Sequence, residues 1–271
     1  MQNYGVLLER KDRIAVITFT RPNRRNAFDE HMWTELEQIV AELKAHTPRA
    51  VVVTGAGKGF CAGFDVNPDN PQVNGLIGAV ERQERAPVEA LIRRLQDTVS
   101  GLVSLPVPVI AAINGDAYGG GAELSSRCDL RVMDPAAVFC FSEARLGLIP
   151  DWGGGPGLTR LVGASRATDM ILTCRKVGAD EALRIGLVNR ISSPGMALAE
   201  AMVLAETIAR NGPRAVHHAL AVIRNTAELP MNAALDLERE QAATLIVSGE
   251  CIHGITAFLS KQEPVFPDIE S

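Results

Sequence analysis

The stretch VVVTGAGKGFCAGFDV, residues 51–66, changes character at Thr54. Its first four residues are apolar or β-branched, and glycines then occupy positions 55, 57, 59 and 63. A short β-branched run followed by glycines is typical of a buried strand that ends in a turn. Because glycine has no Cβ, the backbone of such a turn can approach a bound anion closely. The stretch therefore predicts a strand that leads into a candidate anion-binding turn.

The glycine spacing does not match the common nucleotide-binding motifs. A dinucleotide fingerprint, G-x-G-x-x-G, has Phe60 at its third glycine when counted from Gly55, and a P-loop fails at the same residue. The short-chain reductase variant, T-G-x-x-x-G-x-G, has Cys61 at its last glycine. A plain strand-to-helix turn, in which the glycines supply positive φ, stays open beside a role in binding another anion.

Composition and charge exclude several classes of protein. The 271 residues carry a net charge of -5, which argues against a nucleic-acid partner. The five cysteines include no C-x-x-C pair, so we expect neither disulfides nor a metal site, and reduced thiols fit a cytoplasmic location. No apolar run reaches the roughly 18 residues of a membrane span, and no targeting segment is recognisable. The chain has no G-x-S-x-G or H-E-x-x-H motif either.

Hydrophobic patterning predicts an α/β protein in which strands and helices alternate. Residues 196–271 are helical throughout, so we expect an α/β core over residues 1–195 and a C-terminal helical region that serves oligomerisation. Residues 66–85 mix Pro, Asn, Gly and charged residues and predict a long polar loop. The other expected elements are strands at 13–20, 50–55, 107–115, 129–133 and 137–141 and helices at 28–46 and 88–102.

A second glycine stretch and three acids complete the pattern. Gly119, Gly120 and Gly121 follow a predicted strand and precede a short helix that carries Glu123. The N-terminus of a helix presents free N–H groups that suit an oxyanion developing during a reaction. Glu143 and Asp151 follow, with Asp151 beside a third glycine run. Each acid alone fits a solvated surface residue, and Asp151 also fits a helix cap.

Six segments of the chain form a pattern that covers nearly its whole length. They are RPNRRNAF, VVVTGAGKGFCAGFDV, PVIAAINGDAYGGGAELSSRCDLRV, FSEARLGLIPDWGGGPGLTRLVG, ADEALRIGLVNRI and AFLSKQEPVF. Together they resemble the enoyl-CoA hydratase/isomerase family, also called the crotonase family. The resemblance implies a crotonase-like spiral of repeated ββα units with a C-terminal helical trimerisation region, and a homotrimer or a dimer of trimers. It also implies an acyl-CoA thioester as substrate, with coenzyme A entering as part of that substrate and no separate cofactor.

The resemblance assigns catalytic roles by position. The backbone N–H groups of Phe64 and Gly120 correspond to the family's oxyanion hole. Glu143 corresponds to the proton donor to C2 of the substrate, and Glu123 to the residue that orients and activates water. Asp151 stands where several isomerases of the family place a catalytic aspartate. The leading function is a 2-enoyl-CoA hydratase, a lyase of acyl-CoA metabolism; a double-bond isomerase using Asp151 and a noncatalytic acyl-CoA-binding protein are the alternatives.

The resemblance also assigns binding residues. Residues of the first glycine turn lie against the ligand in the family, Trp152 is expected to line the acyl pocket, and two C-terminal residues match positions that reach CoA. One departure is His253, where the family commonly has Glu. The assigned binding residues are Arg25, with Arg24 beside it, Ala62, Asp65, Val66, Asn67, Trp152, Phe258 and Lys261.

Overall fold

Strand β3 (Ala50–Gly55) lies in the middle of a largely parallel sheet and is buried along its whole length. The computed structural model describes residues 5–268, so the outer ends of the two predicted regions, residues 1–4 and 269–271, lie outside it. Within the described residues, six strands form this sheet in the order β1-β2-β3-β5-β7-β10, and β1 alone pairs antiparallel. The others are β1 (Val6–Lys11), β2 (Ile14–Phe19), β5 (Val109–Ile113), β7 (Leu130–Met133) and β10 (Arg190–Ile191).

A second, smaller sheet fixes the positions of the turns that follow the strands of the large sheet. Its strands are paired in the order β4-β6-β8-β9. The first three each follow a strand of the large sheet, and helices then return the chain, so the ββα unit repeats along the sequence; the fourth follows a helix. The predicted α/β spiral is therefore confirmed. The strands of the small sheet are β4 (Gly59–Cys61), β6 (Asp116–Tyr118), β8 (Val138–Cys140) and β9 (Val177–Gly178).

The helices cover both faces of the large sheet and continue beyond it. Short 3₁₀ helices lie at Pro22–Arg24 and Glu143–Leu146. The α-helices are α1 (Glu30–Ala45), α2 (Pro71–Glu81), α3 (Arg85–Val103), α4 (Gly120–Arg127), α5 (Gly154–Val162), α6 (Ala164–Thr173), α7 (Ala179–Arg184), α8 (Ala197–Ala209), α9 (Pro213–Thr226), α10 (Met231–Val247) and α11 (Glu250–Leu259).

Alternation along the strands divides the core into two clusters. Val51 and Val53 of β3 contribute to the cluster that contains the buried face of α1, whereas Val52 contributes to the cluster beneath α8. This follows from the period of two in a strand, which turns successive side chains to opposite faces. Helix α1 begins as predicted after Asp29, whose carboxylate accepts a hydrogen bond from Met32 N at 3.0 Å. Both faces of the sheet are thus buried, as its near-continuous apolar strands require.

The prediction of a long polar loop at residues 66–85 is wrong. Helix α2 occupies most of that segment and begins after Asn70, whose side chain accepts a hydrogen bond from Gln72 N at 3.2 Å. Pro71 takes the first helical position, where its missing N–H costs nothing. Only Gln72 and Ala79 of this helix are buried, which explains why the segment reads as polar.

The last three helices bury little of their surface within the chain. No residue of α9 or α10 in the described structure is fully buried, although both helices carry apolar side chains. No single helix between residues 5 and 268 is long and apolar enough to cross a membrane; α10 and α11 pass such a test only as a pair, bent by 71°. The division of the chain at residue 195 stays a prediction, and α8 packs directly on the sheet.

Candidate active site

The two glycine turns meet at the ends of β4 and β6. Gly63 has a φ of 84°, and a Cβ placed on it would lie 2.6 Å from the amide nitrogen of Gly120. A Cβ on Gly121 would lie 2.2 Å from the carbonyl oxygen of Cys61. Both distances are far below van der Waals contact, so side chains at these positions would push the turns apart. Glycine is required here by the approach of two backbones.

The structure brings together the two residues predicted to donate backbone hydrogen bonds. Gly120 is the first residue of α4, so its N–H has no partner within the helix. Among residues 5–268, neither the Phe64 N–H nor the Gly120 N–H donates to a protein acceptor. Two free amides next to each other can bind the oxygen of a polarised carbonyl group.

Glu123 lies in the first turn of α4 and is only 1% exposed. Its carboxylate accepts hydrogen bonds from three amides, two in the turn before α5 and one at the first residue of that helix: Asp151 N at 3.2 Å, Trp152 N at 2.7 Å and Gly154 N at 2.8 Å. These bonds join α4 to the turn before α5. They also fix the carboxylate in one orientation, which a catalytic group requires.

Opposing influences set the pKa of Glu123. Burial, which disfavours the charged form, raises the pKa from 4.5 to about 8, and the negative charges of Glu143 and Asp151 add to the rise. Hydrogen bonds from Gly154 N and Trp152 N stabilise the carboxylate and act against it. Near neutral pH this side chain can therefore hold or release a proton, which suits acid or base catalysis.

Glu143 differs from Glu123 in its hydrogen bonding. It begins the 3₁₀ helix Glu143–Leu146 and is 8% exposed, yet neither of its carboxylate oxygens has a hydrogen-bond partner in the described structure. A Cβ on Gly119 would lie 3.5 Å from its Oε1, which places the carboxylate beside the second glycine turn. Burial raises its pKa, and the negative charge of Asp151 acts in the same direction. The free oxygens leave Glu143 able to bind a ligand.

Asp151 lies beside the two glutamates without capping a helix. Burial raises its pKa, and its charge acts on both Glu123 and Glu143. The interpretation of Asp151 as a helix cap is wrong, because α5 begins after Gly153 and no side chain caps it. The backbone oxygen of Asp151 instead accepts a hydrogen bond from Gln96 Nε2 at 2.8 Å.

Trp152 lies in the hydrophobic core behind the second glycine turn. It is 2% exposed, and its ring lies 4.6 Å from that of Trp33 and 5.7 Å from that of Phe28, between centroids. A Cβ on Gly120 would lie 2.6 Å from the Trp152 ring. Trp152 thus supports the backbone that presents the Gly120 amide; its lining of an acyl pocket stays a prediction.

The predicted ligand-binding residues of the first turn divide between the surface and the interior. Val66 is exposed and Ala62 is half-buried. The Asp65 side chain turns inward and accepts hydrogen bonds from Arg21 Nη2 at 3.0 Å and from Asn67 N at 3.1 Å. Although burial acts to raise it, these contacts hold the pKa of Asp65 below its ordinary value. Only the backbone of Asp65 can therefore face a ligand.

The predicted basic and C-terminal binding residues lie on the surface. Arg25 is exposed, and Arg24 forms an ion pair with Asp69 at 2.7 Å. Phe258 is 81% exposed on α11, and Lys261 follows the end of that helix. Within the described chain, no hydrogen bond, ion pair or ring contact joins either C-terminal side chain to Glu123, Glu143 or the paired amides. Their roles stay predictions.

Sequence reasoning missed Gly154, which brings Glu123 close to the α5 turn. A Cβ on Gly154 would lie 2.3 Å from Glu123 Cγ, whereas a Cβ on Gly155 would meet nothing within 4 Å. The sequence signal was the run Gly153-Gly154-Gly155, but the run does not tell which glycine faces the acid.

Over residues 5–268, no group of three or more His, Cys, Asp or Glu residues is arranged to bind a metal ion.

The fold and the site define an α/β protein in which two glycine turns present backbone amides beside two buried glutamates. The family model described as enoyl-CoA hydratase/isomerase matches residues 9–269. The chain is 34% identical to a short-chain-enoyl-CoA hydratase of Clostridium acetobutylicum over 97% of both chains. It is 31% identical to a crotonyl-CoA hydratase of Syntrophomonas wolfei over 97% of both.

A solved structure agrees with these sequence comparisons. The crystal structure of an enoyl-CoA hydratase from Bacillus anthracis superimposes with a TM-score of 0.87 at 31% identity, over 97% of this chain and 98% of that one. The chain belongs to the enoyl-CoA hydratase/isomerase family.

We expect Gly154→Ala to disturb the Glu123 site. The new Cβ would overlap Glu123 Cγ, so the substitution should lower the free energy of unfolding by about 1–3 kcal/mol. Gly155→Ala is the matched control on the same helix; it meets open space and should change that free energy by less than about 1 kcal/mol. Urea unfolding measures both. Equal effects of the two substitutions would contradict the close contact at Gly154.

The raised pKa of Glu123 predicts a pH-dependent stability. Between about pH 5 and about pH 8 the folded protein keeps a proton that the unfolded chain releases, so stability should fall as the pH rises. The slope contributed is at most about 1.4 kcal/mol per pH unit. Glu123→Gln removes this proton and should make the slope shallower, whereas the exposed control Glu9→Gln should not. Urea unfolding across this window would contradict the assignment if both variants kept the parent slope.

Proposed function

We propose that the protein is a 2-enoyl-CoA hydratase, which adds water across the conjugated double bond of an acyl-CoA thioester. The observation that supports this function best is the pair of buried glutamates, Glu123 and Glu143, beside the free amides of Phe64 and Gly120. The relatives named as hydratases support the same activity. The activity belongs to acyl-CoA metabolism, such as that of fatty acids.

The amides stabilise the charge that develops on the substrate. When water attacks C3, the electrons of the double bond move toward the thioester, and the carbonyl oxygen becomes an enolate oxygen. Hydrogen bonds from Phe64 N–H and Gly120 N–H stabilise this oxygen, and one preorganised donor contributes about 3–4 kcal/mol. A proton delivered to C2 then restores the thioester.

The glutamates divide the proton transfers. Glu123, fixed by three amides, orients the water and accepts its proton as the O–C3 bond forms. Glu143, whose oxygens have no protein partner in the described structure, delivers a proton to C2. The net change is one water added, with OH on C3 and H on C2. Because the charge of each carboxyl group affects the other, the two groups titrate as a pair.

The CoA part of the substrate extends along the first glycine turn. The backbone of residues 62–67 follows it, with exposed Val66 on one side. Exposed Arg25 is available for the CoA phosphates, and we assign Phe258 and Lys261 to CoA contacts made from a neighbouring subunit. CoA arrives and leaves as part of the reactant, so the reaction needs no separate cofactor.

A second candidate activity is double-bond isomerisation of an unsaturated acyl-CoA. Asp151 supports it, because burial raises its pKa and its charge acts on both glutamates. An isomerase moves a proton from one carbon to another and needs no oriented water. Asp151 and the paired amides would be sufficient for that reaction.

The C-terminal helices support a trimer or a dimer of trimers. Exposed apolar side chains on α9, α10 and α11 have no cover within the described chain: Ile223, Leu235, Ile246, Val247, Ile252, Ile255 and Phe258. Exposed apolar side chains in this number are typical of surfaces that contact other proteins. A second and third copy of the chain are the proposed cover.

We expect the purified protein to consume the conjugated absorbance of a short-chain 2-enoyl-CoA. Glu143→Gln and Glu123→Gln should each lower kcat by about 100- to 10,000-fold, since each removes a proton-transfer group. Glu9→Gln, on an exposed position of β1, is the matched control. Absence of hydration across a panel of enoyl-CoAs would refute the proposal. Intact hydration with lost isomerisation in Glu143→Gln would favour the isomerase.

The proposed assembly predicts a particle of three or six times 29.0 kDa. Sedimentation equilibrium of the parent chain measures this mass. Ile255→Asp places a charge on the exposed apolar surface of α11 and should shift the mass toward one chain, whereas Leu7→Asp on β1 should not. A parent protein that sediments as a single chain would contradict the assembly.

A further inference from the structure

Residues 25–28 run alongside the first glycine turn and bind it at successive positions. Phe28 and Phe64 form a parallel bridge outside the named strands. The backbone bonds are Ala62 N to Arg25 O at 3.0 Å, Phe28 N to Gly63 O at 2.7 Å and Asp65 N to Phe28 O at 2.8 Å. The turn that carries the Phe64 amide is therefore held from one side by a single neighbouring segment.

The register of these bonds leaves the Phe64 amide free. Across the trans peptide between Gly63 and Phe64 the C=O and the N–H point to opposite sides, so the Gly63 oxygen faces Phe28 while the Phe64 N–H points away from it. This pairing thus determines which backbone N–H of the turn is free to bind the thioester oxygen. A shift of one residue would turn the Phe64 N–H toward Phe28.

Asn26 fixes the segment that sets this register. It is 0% exposed and has a φ of 56°, a left-handed conformation that Asn tolerates better than most residues. Its side-chain Nδ2 lies within hydrogen-bond distance of three carbonyl oxygens, one in the turn after β3 and two in β4: Ala56 O at 3.0 Å, Gly59 O at 2.9 Å and Phe60 O at 3.2 Å. One amide group therefore anchors the segment to the chain that leads into the turn.

Cys61 connects Asn26 to the residue before Phe64. Its thiol donates to the backbone oxygen of Asn26 at 3.2 Å and accepts from Gly63 N at 3.3 Å. Burial raises the pKa of the thiol to about 12, so it stays protonated and able to donate. Removal of the sulfur would leave Asn26 O without this donor and Gly63 N–H without this acceptor.

We propose that Asn26 and Cys61 are positioning residues that aim the Phe64 amide at the thioester oxygen. The inference rests on the proposed function, since it assigns the Phe64 amide to the oxyanion hole. Neither side chain touches the substrate; both act through the backbone of residues 61–64. A displacement of a catalytic donor by about 1 Å can lower the rate a hundredfold, so small structural changes at Asn26 or Cys61 can change the reaction rate.

The test compares Cys61→Ala and Cys61→Ser with the parent protein. We expect Cys61→Ala to lower kcat for hydration about tenfold while KM changes less than about twofold, because the amide acts on the enolate more than on the bound substrate. Serine keeps a donor and an acceptor at this position and should restore most of kcat. Cys128→Ala is the matched control: it removes another buried thiol, which bonds within its own helix region to Leu124 O.

A spectroscopic measurement distinguishes a misplaced Phe64 amide from a general loss of protein stability. Acetyl-CoA has no double bond to hydrate, and the infrared stretching frequency of its isotope-labelled carbonyl reports how strongly the two amides polarise it. We expect the downward shift on binding to be smaller in Cys61→Ala than in the parent, Cys61→Ser or Cys128→Ala. Asn26→Asp, which cannot donate to the three carbonyl oxygens, should reduce the shift further. If that variant does not fold, the cysteine series carries the test.

The outcomes separate the inference from the proposed function. A parent protein that hydrates enoyl-CoAs, together with a Cys61→Ala variant of unchanged kcat and carbonyl frequency, would overturn the positioning role alone. An equal loss in Cys61→Ala and Cys128→Ala would also overturn it, since buried volume would then explain the effect. A parent protein that neither hydrates enoyl-CoAs nor shifts the carbonyl of bound acetyl-CoA would refute the proposed function itself.

Discussion

The close approach of two backbone turns, at Gly63 and Gly120, is the constraint on which the rest of the site depends. Side chains cannot occupy the space between them, since a Cβ on Gly63 would lie 2.6 Å from Gly120 N. The approach is possible because β4 and β6 are parallel neighbours in the small sheet, so their ends lie side by side. Trp152 fills the space behind Gly120 and prevents the second turn from collapsing inward. The paired amides are therefore a product of sheet topology and core packing together.

The two buried glutamates differ in whether hydrogen bonds offset the free-energy cost of desolvating their carboxylates. Glu123 receives three backbone hydrogen bonds, which offset part of the desolvation that raises its pKa. Glu143 receives none in the described structure and remains an unpartnered buried acid. Such a group is unfavourable for stability, and a catalytic role is one of the reasons for which native proteins keep an unsatisfied polar group. The asymmetry supports a fixed, water-orienting role for Glu123 and a proton-delivering role for Glu143.

Much of the fold could be predicted from the sequence because its signals are local. The β-branched run ending at Thr54 and the apolar face of α1 with Asp29 before it each specify an element within one short window. Helix α2 was missed because it buries only two residues, so its periodicity is weak and its composition resembles that of a loop. The Asn70-Pro71 pair was the available signal, since it places a capping side chain before a first-turn proline.

The predicted amides and acids could be placed by resemblance, but the residues that hold them in position could not. Gly154 faces Glu123 across 31 residues of chain, and Asn26 reaches Phe60 across 34. No local pattern encodes such contacts, and a single asparagine after two arginines is typical of an ordinary turn. Its importance appears only when one buried amide group is seen to lie beside three carbonyl oxygens. The segment RPNRRNAF supports the family resemblance, and the structure supplies its physical reason: Arg21 binds Asp65, Asn26 anchors the chain before the turn, and Phe28 sets the register that frees the Phe64 amide.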